Sequence, residues 1–200
     1  SRSPENVVEE LKFFGDKFGL SEYMVVDDNF TYDKKRVMKI CKLIKENRLD
    51  VEWYCEGRIN QADETTFREM VSAGCRVMYF GIESCVEKIL RYYWKGITYE
   101  MTQDAVKKAR RAGLDVVGSF ILGAPIETVS EMWETITKAA ALDIDFAQFN
   151  ALRLVRGMPL WEELSKQGVI NDEEKWEDSI MGFEIHPQVT LQQSSELMKE

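Results

Sequence analysis

The chain has 200 residues, of which 26 are Lys or Arg and 35 are Asp or Glu, so its formal net charge is −9. This length suits one globular domain, and the acidic balance gives nucleic acid or an anionic membrane no general attraction. The sequence has neither an apolar run of about 20 residues that could span a bilayer nor a signal-peptide pattern. We therefore expect a cytoplasmic protein with no nucleic-acid or membrane partner.

Helical and strand patterns alternate along the chain. Apolar periodicity predicts helices over residues 4–18, 34–47, 63–73, 86–93, 99–112, 129–142 and 159–167, and strands over residues 22–26, 51–55, 77–82, 116–122 and 145–152. The first helix has the sequence signals of both ends, with Ser3 as N-cap, Pro4 in its first turn and Gly19 after its last residue. Alternation of this kind makes βαβ units, so we predict an α/β fold with one parallel sheet in sequential strand order.

Polar residues follow all five predicted strands. Ligand sites of parallel α/β sheets lie beyond the carboxyl ends of the strands. Those ends read "VVDDNF", "WYCEGR", "FGIES", "GSFILGAPIE" and "QFNALRLVRG", the last with Asn150, Arg153 and Arg156. Turn formers and helix caps explain part of this set. A lining of acids, hydroxyl groups and Arg with apolar walls favours a site for a zwitterionic small molecule.

The four cysteines are dispersed. They are Cys41, Cys55, Cys75 and Cys85, and the closest two are ten positions apart. Metal sites built from cysteine usually show local spacing such as C-x-x-C. We therefore predict structural cysteines and no metal site in this chain.

Six segments in order carry a family resemblance: "SPENVVEEL", "VDDNFT", "WYCEGR", "AGCRVMYFGIES", "GITYE" and "AGLDVVGSFILGAPIET". Together they resemble the radical S-adenosylmethionine (radical SAM) superfamily, in particular the group often fused to a cobalamin-binding domain and similar to anaerobic magnesium-protoporphyrin cyclase. The resemblance covers about residues 3–165. It implies a partial (β/α)6 TIM-like barrel, open on one side, over residues 1–167, and a C-terminal extension over residues 168–200.

The resemblance also implies a set of residues that bind S-adenosylmethionine (SAM). The polar loop after the strand at 22–26 would take the methionyl amino group; it holds Asp27, Asp28 and Asn29. Polar residues after the next two strands would take the ribose and the carboxylate; they are Glu56, Arg58, Glu83 and Ser84. The strand at 116–122 would flank the adenine, and the family's Gly-x-Ile-x-Gly-x-x-Glu pattern is matched loosely, with one extra residue between the glycines, by Gly118, Phe120, Ile121, Gly123 and Glu127.

The family's defining element has no counterpart in this chain. A C-x-x-x-C-x-x-C loop after the family's first strand holds a [4Fe-4S] cluster, so the resemblance implies that this strand and loop precede Ser1 and that the chain alone is inactive. In the full protein the cluster would reduce SAM to methionine and a 5′-deoxyadenosyl radical, or SAM would be used with cobalamin, to modify a small-molecule substrate. The resemblance also implies an electron donor of flavodoxin or ferredoxin type.

Two other classes remain open. One is a (β/α)-barrel enzyme without redox chemistry, such as a lyase of a phosphate ligand. Such an enzyme would need a Gly-rich phosphate loop after a late strand and a Lys or metal triad, and the sequence has neither. The other is a degenerate binding module that has lost its cluster. Cysteines in the sequence before Ser1 would distinguish a cluster enzyme from both.

Overall fold

The structure, a computed structural model, describes residues 2–168 and 183–184. Its helices are α1 Pro4–Phe18, α2 Lys34–Glu46, α3 Glu64–Ser72, α4 Glu87–Tyr92, α5 Tyr99–Ala112, α6 Val129–Ala140 and α7 Pro159–Lys166. Its strands are β1 Glu22–Val25, β2 Glu52–Gly57, β3 Cys75–Glu83, β4 Asp115–Leu122, β5 Phe146–Ala151, β6 Arg153–Leu154 and β7 Phe183–Glu184. Every predicted helix and strand is confirmed, and no bound differs from its prediction by more than two residues.

Strands β1 to β5 form one sheet in the order β1-β2-β3-β4-β5, and all neighbours are parallel. The predicted α/β fold and sequential strand order are therefore confirmed. Because the strands are parallel, their five carboxyl ends lie along one edge, which we call the carboxyl edge. Strands β6 and β7 pair separately as an antiparallel ribbon. Apart from Gly168 and β7, the predicted C-terminal extension lies outside the described residues.

The two faces of the sheet differ in burial. One face packs under the helices, and three of its residues, Trp53, Met78 and Phe120, are at most 2% exposed. The Trp53 indole N–H donates to the Ala73 carbonyl at 2.8 Å within this core. Side chains on the other face, which we call the open face, are partly buried or exposed, except that of Val117, which is buried. This face holds Met24, Tyr54, Glu56, Tyr79, Gly81, Ser119, Ile121, Gln148 and Asn150.

All four cysteines are free and fully buried. Burial raises the pKa of the Cys41 and Cys85 thiols to about 12. Within the described residues, no group of three or more His, Cys, Asp or Glu side chains could hold a metal ion. The described helices include none that is long and apolar enough to span a membrane.

Candidate functional site

Strand β3 ends in a bulge at the carboxyl edge. Its pairing with β4 shifts between Gly81, which pairs with Ser119, and Glu83, which pairs with Phe120. Glu83 has a φ of +68°, a left-handed conformation that costs a residue with a side chain about 1–3 kcal/mol. Bulges near functional sites change the direction of a side chain. Here the bulge brings the Glu83 carboxylate back over the strand.

The Glu83 carboxylate forms an ion pair above Gly81. Glu83 Oε1 accepts a hydrogen bond from Lys95 Nζ at 2.9 Å. A Cβ added to Gly81 would lie 2.8 Å from Glu83 Oε1 and 3.5 Å from Lys95 Nζ. Because Gly81 lies on the open face, the pair occupies the space that a side chain would fill there. The two side chains are 18% and 22% exposed, so a ligand can reach them.

Glu56 supplies a second carboxylate on the open face. It pairs across the sheet with Tyr79, and it is partly buried. Its carboxylate has no hydrogen bond or ion pair with another described residue. On the same face, the rings of Tyr54 and Tyr79 lie 6.2 Å apart. An unpaired carboxylate next to aromatic residues can accept hydrogen bonds from a cationic or hydroxylated ligand.

The loop after β1 places three polar residues at the same edge. Asp27 Oδ2 lies 3.3 Å from Arg36 Nη1 of α2, and this guanidinium also lies over the Phe30 ring. Asp28 is exposed, whereas Asn29 is partly buried. The loop lines a cavity of about 340 Å³. Since Arg36 already neutralises Asp27, Asp28 and Asn29 are the better acceptors for an ammonium group.

Ser84 lies beneath the site rather than at its surface. Its side chain is completely buried. Its hydroxyl accepts from the Val86 backbone N–H at 3.1 Å and lies 3.0 Å from Thr135 Oγ1 of α6. The structure therefore separates two neighbours that the sequence analysis assigned together, because the bulge turns Glu83 toward the open face and leaves Ser84 in the core.

Strand β4 divides its residues between the two faces. Gly118 lies on the buried face, where an added Cβ would come within 3.0 Å of Ile82 Cδ1. Phe120 is fully buried and stacks on Phe149, with ring centroids 5.0 Å apart. Ile121 is partly buried on the open face, opposite Asn150. Gly118 and Phe120 thus pack against the core, and Ile121 is the apolar residue that a ligand could contact.

The loop after β4 is held by a buried carboxylate. Glu127 Oε2 accepts from the Gly123 N–H at 2.7 Å and from the Ala124 N–H at 3.1 Å. Burial raises the pKa of the Glu127 carboxyl, although these two N–H groups oppose the shift. Among the described residues, Glu127 Oε1 and the Tyr93 hydroxyl are buried without a hydrogen-bond partner. Glu127 therefore fixes the backbone of Gly123 at the carboxyl edge.

Two residues of this edge were missed by the sequence analysis. Lys95 lies twelve positions from its partner Glu83, and no local spacing marks it. Ser119 accepts a hydrogen bond from Asn150 Nδ2 at 3.4 Å on the open face. Its position after Gly118 in an apolar strand could have suggested this role. Arg153 and Arg156 follow β5 and are exposed.

A sequence profile of the Radical SAM superfamily matches residues 1–139. This chain belongs to the radical SAM superfamily. An uncharacterized methyltransferase of Pyrococcus horikoshii is 43% identical over 160 residues, which are 80% of this chain and 35% of that protein. The cytidylyl-2-hydroxyethylphosphonate methyltransferase of Streptomyces wedmorensis is 29% identical over 180 residues, 86% of this chain and 34% of that protein. This radical SAM chain thus spans about a third of the length of these relatives.

Solved structures of radical SAM proteins share the fold. The methyltransferase TsrM from Kitasatospora setae, with cobalamin and a [4Fe-4S] cluster bound, matches with a TM-score of 0.75 and 21% identity over 84% of this chain and 32% of that chain. Coproporphyrinogen III oxidase (HemN) of Escherichia coli matches with a TM-score of 0.65 and 17% identity over 98% of this chain and 44% of that chain. At these identities the matches establish the fold, and they confirm the predicted TIM-like barrel class.

Proposed function

We propose that this chain is the SAM-binding part of a radical SAM enzyme whose whole chain carries a [4Fe-4S] cluster. When bound, the cluster supplies the electron that cleaves SAM to methionine and a 5′-deoxyadenosyl radical. Among the described residues, no group of three or more His, Cys, Asp or Glu side chains fits the cluster. The pair formed by Glu83 and Lys95 over Gly81 is the observation that carries the proposal. It supplies an acceptor and a cation at the carboxyl edge, where a parallel α/β sheet binds its ligand.

The donor set of the carboxyl edge fits each part of SAM. The ribose diol requires acceptors, which Glu83 and Glu56 provide, because a carboxylate has two acceptor oxygens. The methionyl carboxylate requires a cation, and Lys95 lies beside Glu83. The amino group requires acceptors, which Asp28 and Asn29 provide in the loop after β1. In this arrangement the residues bind and orient the cofactor, and none of them needs to transfer a proton.

The adenine would lie against β4. Ile121 offers an apolar side chain on the open face, and Gly123, directly after the strand, offers a backbone without a side chain. Glu127 holds the Gly123 N–H, so the position of this backbone does not depend on the ligand. Gly118, Phe120 and Ser84 support this surface from the core side. A ring bound here would be flanked on one side by the sheet itself.

Titration of the cluster-bearing full-length protein with SAM tests this site. We expect Glu83→Ala and Glu83→Gln to weaken SAM binding roughly ten- to hundredfold, since a hydrogen bond to a charged group contributes about 1.5–3 kcal/mol. Glu52→Ala is the matched control, because Glu52 pairs with Arg76 at 2.9 Å near the start of the neighbouring strand. If both Glu83 variants bind SAM as tightly as the wild type but unfold at a lower temperature, Glu83 is structural and the site assignment is wrong.

Methyl transfer to a small molecule is the reaction class that the relatives support best. Two of them are named methyltransferases, at 43% and 29% identity. An anaerobic magnesium-protoporphyrin IX monomethyl ester cyclase of Cereibacter sphaeroides, 24% identical over 88% of this chain, supports the wider class of radical SAM oxidoreductases. We propose cobalamin as a further cofactor of the whole protein and a flavodoxin- or ferredoxin-type electron donor. Formation of S-adenosylhomocysteine from SAM by the reduced full-length protein would favour methyl transfer over simple reductive cleavage.

A further inference from the structure

Helix α4 ends with a tryptophan at a position that usually holds glycine. The Trp94 N–H donates to the Arg91 carbonyl and the Lys95 N–H donates to the Leu90 carbonyl, both at 3.1 Å. This pair of bonds is a Schellman motif, whose left-handed residue is most often Gly. Trp94 is that residue, with a φ of +52°. Its side chain is 93% exposed, so neither the backbone nor packing among the described residues explains the indole.

Trp94 borders the proposed SAM site. It lines a cavity of about 80 Å³ together with Arg58, Tyr93, Lys95 and Gly81. Gly81 is the residue over which Lys95 pairs with Glu83, so this cavity and the proposed SAM site share a wall. Arg58 is exposed, and its guanidinium has no hydrogen bond or ion pair with another described residue. An indole and an unpaired guanidinium therefore lie at the mouth of one small cavity.

We propose that Trp94 and Arg58 bind the substrate, and that the substrate carries a flat ring and an anionic group. This inference rests on the proposed function, since it names the substrate class of the same edge. A cavity of about 80 Å³ accommodates a carboxylate or phosphate group but no ring system. The ring would therefore lie outside, stacked on the indole, while the guanidinium pairs with the anion through two parallel hydrogen bonds. In a chain of net charge −9, an anionic ligand requires such local cations.

Under this proposal Arg58 binds the substrate rather than SAM. The sequence analysis assigned it to the ribose or carboxylate of SAM. In the structure Lys95 lies closer to Glu83 and is only 22% exposed, whereas Arg58 is exposed beside Trp94. Lys95 would bind the cofactor carboxylate, and Arg58 would bind the substrate anion. The two ligands would then stay apart at the wall that their sites share.

Three probes separate the contributions of ring and charge in calorimetric titrations of this protein. Naphthalene-2-carboxylate is a flat anion, naphthalene-2-carboxamide is flat and neutral, and cyclohexanecarboxylate is an anion without a flat ring. We expect the first to bind at least about tenfold more tightly than the other two, and to lose about tenfold in affinity in Arg58→Gln. Equal binding of the three probes, or wild-type affinity in Arg58→Gln, would overturn the proposal.

Trp94→Gly distinguishes a ligand role from a structural one. Glycine fits the left-handed position, so we expect this variant to unfold at a higher temperature while its affinity for naphthalene-2-carboxylate falls about tenfold. Arg48→Gly is the matched control, because Arg48 also has a φ of +52° and lies at the end of helix α2. The same two hydrogen bonds form there, from the Arg48 N–H to the Lys45 carbonyl and from the Leu49 N–H to the Ile44 carbonyl. This control should unfold at a higher temperature with unchanged probe affinity. A lower unfolding temperature of Trp94→Gly, or unchanged probe affinity, would contradict the proposal.

SAM binding by the same variants separates this inference from the proposed function. We expect Trp94→Gly in the cluster-bearing full-length protein to bind SAM with wild-type affinity. A loss of SAM affinity equal to the loss of probe affinity would assign Trp94 to the cofactor and overturn the substrate role. Failure of the wild type to bind SAM would overturn the proposed function, while the probe titrations would still decide whether the anion site exists.

Discussion

Two residues at the carboxyl edge hold left-handed backbone conformations that their side chains disfavour. Glu83 has a φ of +68° and Trp94 a φ of +52°. Each conformation costs about 1–3 kcal/mol and persists only where the surrounding structure imposes it. At Glu83 the ion pair with Lys95 accompanies the strain. At Trp94 the indole is 93% exposed and forms no side-chain hydrogen bond or ring contact with another described residue, so a bound ligand is the role that we propose for it.

Ser84→Ala tests which side of the strand end faces the ligand. The Ser84 hydroxyl serves the Val86 N–H and the Thr135 hydroxyl in the core, so its loss should lower the free energy of unfolding by about 1–3 kcal/mol. SAM affinity should not change. Urea unfolding and SAM titration of the same sample measure both quantities. A drop in SAM affinity at wild-type stability would instead return Ser84 to the ligand surface.

Glu127→Gln should change how stability depends on pH. The pKa of Glu127 is raised in the folded protein, so the native state holds this proton more tightly than the unfolded chain does. The stability that protonated Glu127 contributes is present below the unfolded pKa and is lost as the pH rises through the folded pKa. We therefore expect the wild type to lose stability relative to Glu127→Gln as the pH rises above about 4.3, the ordinary pKa of a glutamate carboxyl.

Glu131→Gln is the control of opposite sign. The ion pair with Lys88 and the hydrogen bond from the Thr128 N–H lower the pKa of Glu131. Its contribution is present above the unfolded pKa and is lost as the pH falls through the folded pKa, so the wild type should gain stability relative to Glu131→Gln as the pH rises. Urea unfolding of the wild type and both variants over a series of pH values measures these differences. Parallel pH dependences of the two variants would contradict the assignment of Glu127 as a carboxyl with a raised pKa.

At the scale of elements, helix ends and strand starts depend on a few positions. The Thr128 side chain and Glu131 form a capping box at the start of α6, and Ser3 caps α1 as the sequence predicts. Between α3 and β3 the chain turns at Gly74, which has a φ of +93°. A Cβ there would lie 1.9 Å from the Val51 carbonyl oxygen, so only glycine allows this approach.

Gly74→Ala should therefore cost more than an alanine at an unobstructed left-handed glycine. Gly19 provides the comparison, since it has a φ of +68° and nothing lies within 4 Å of its added Cβ. We expect Gly19→Ala to lower the free energy of unfolding by about 1 kcal/mol and Gly74→Ala by roughly 3 kcal/mol or more. Urea unfolding of both variants is the measurement. Equal losses would mean that the backbone at Val51 moves aside.

At the scale of the whole molecule, parallel strands in sequential order bring five loops to one edge. The open face and the carboxyl edge carry the polar groups, whereas the four cysteines lie in the core beneath the helices. Burial raises the pKa of the Cys41 and Cys85 thiols, which makes them poor ligands for iron, because iron binds the thiolate. The division between a polar carboxyl edge and an apolar core therefore also separates the proposed SAM site from the cysteines.

Iron reconstitution of the 200-residue chain by itself should give no stoichiometric cluster. Under anaerobic conditions with iron and sulfide, we expect less than about one iron per chain, because the described residues hold no group that could bind a metal. The full-length protein treated in parallel is the control and should bind about four irons. A visible charge-transfer absorbance with about four irons in the 200-residue chain would show that this chain supplies the ligands.

The types and order of the elements and the parallel sheet could be predicted from the sequence alone. Apolar periodicity, N-cap residues and the glycines that end helices act within a few neighbouring residues, so they can be recognised in the sequence. The polar residues at strand ends also indicated the carboxyl edge, since parallel strands place them there whatever the details of packing. Family membership, predicted from six short segments, is confirmed by the profile match over residues 1–139.

Only the tertiary structure decided which of these residues face the carboxyl edge. One register shift between β3 and β4 turns Glu83 toward Lys95 and leaves Ser84 in the core. The same pairing places Phe120 under the helices and Ile121 on the open face. A strand alternates its side chains with a period of two, so a shift of one residue reverses the face of each, and that register is set by contacts between strands far apart in the sequence.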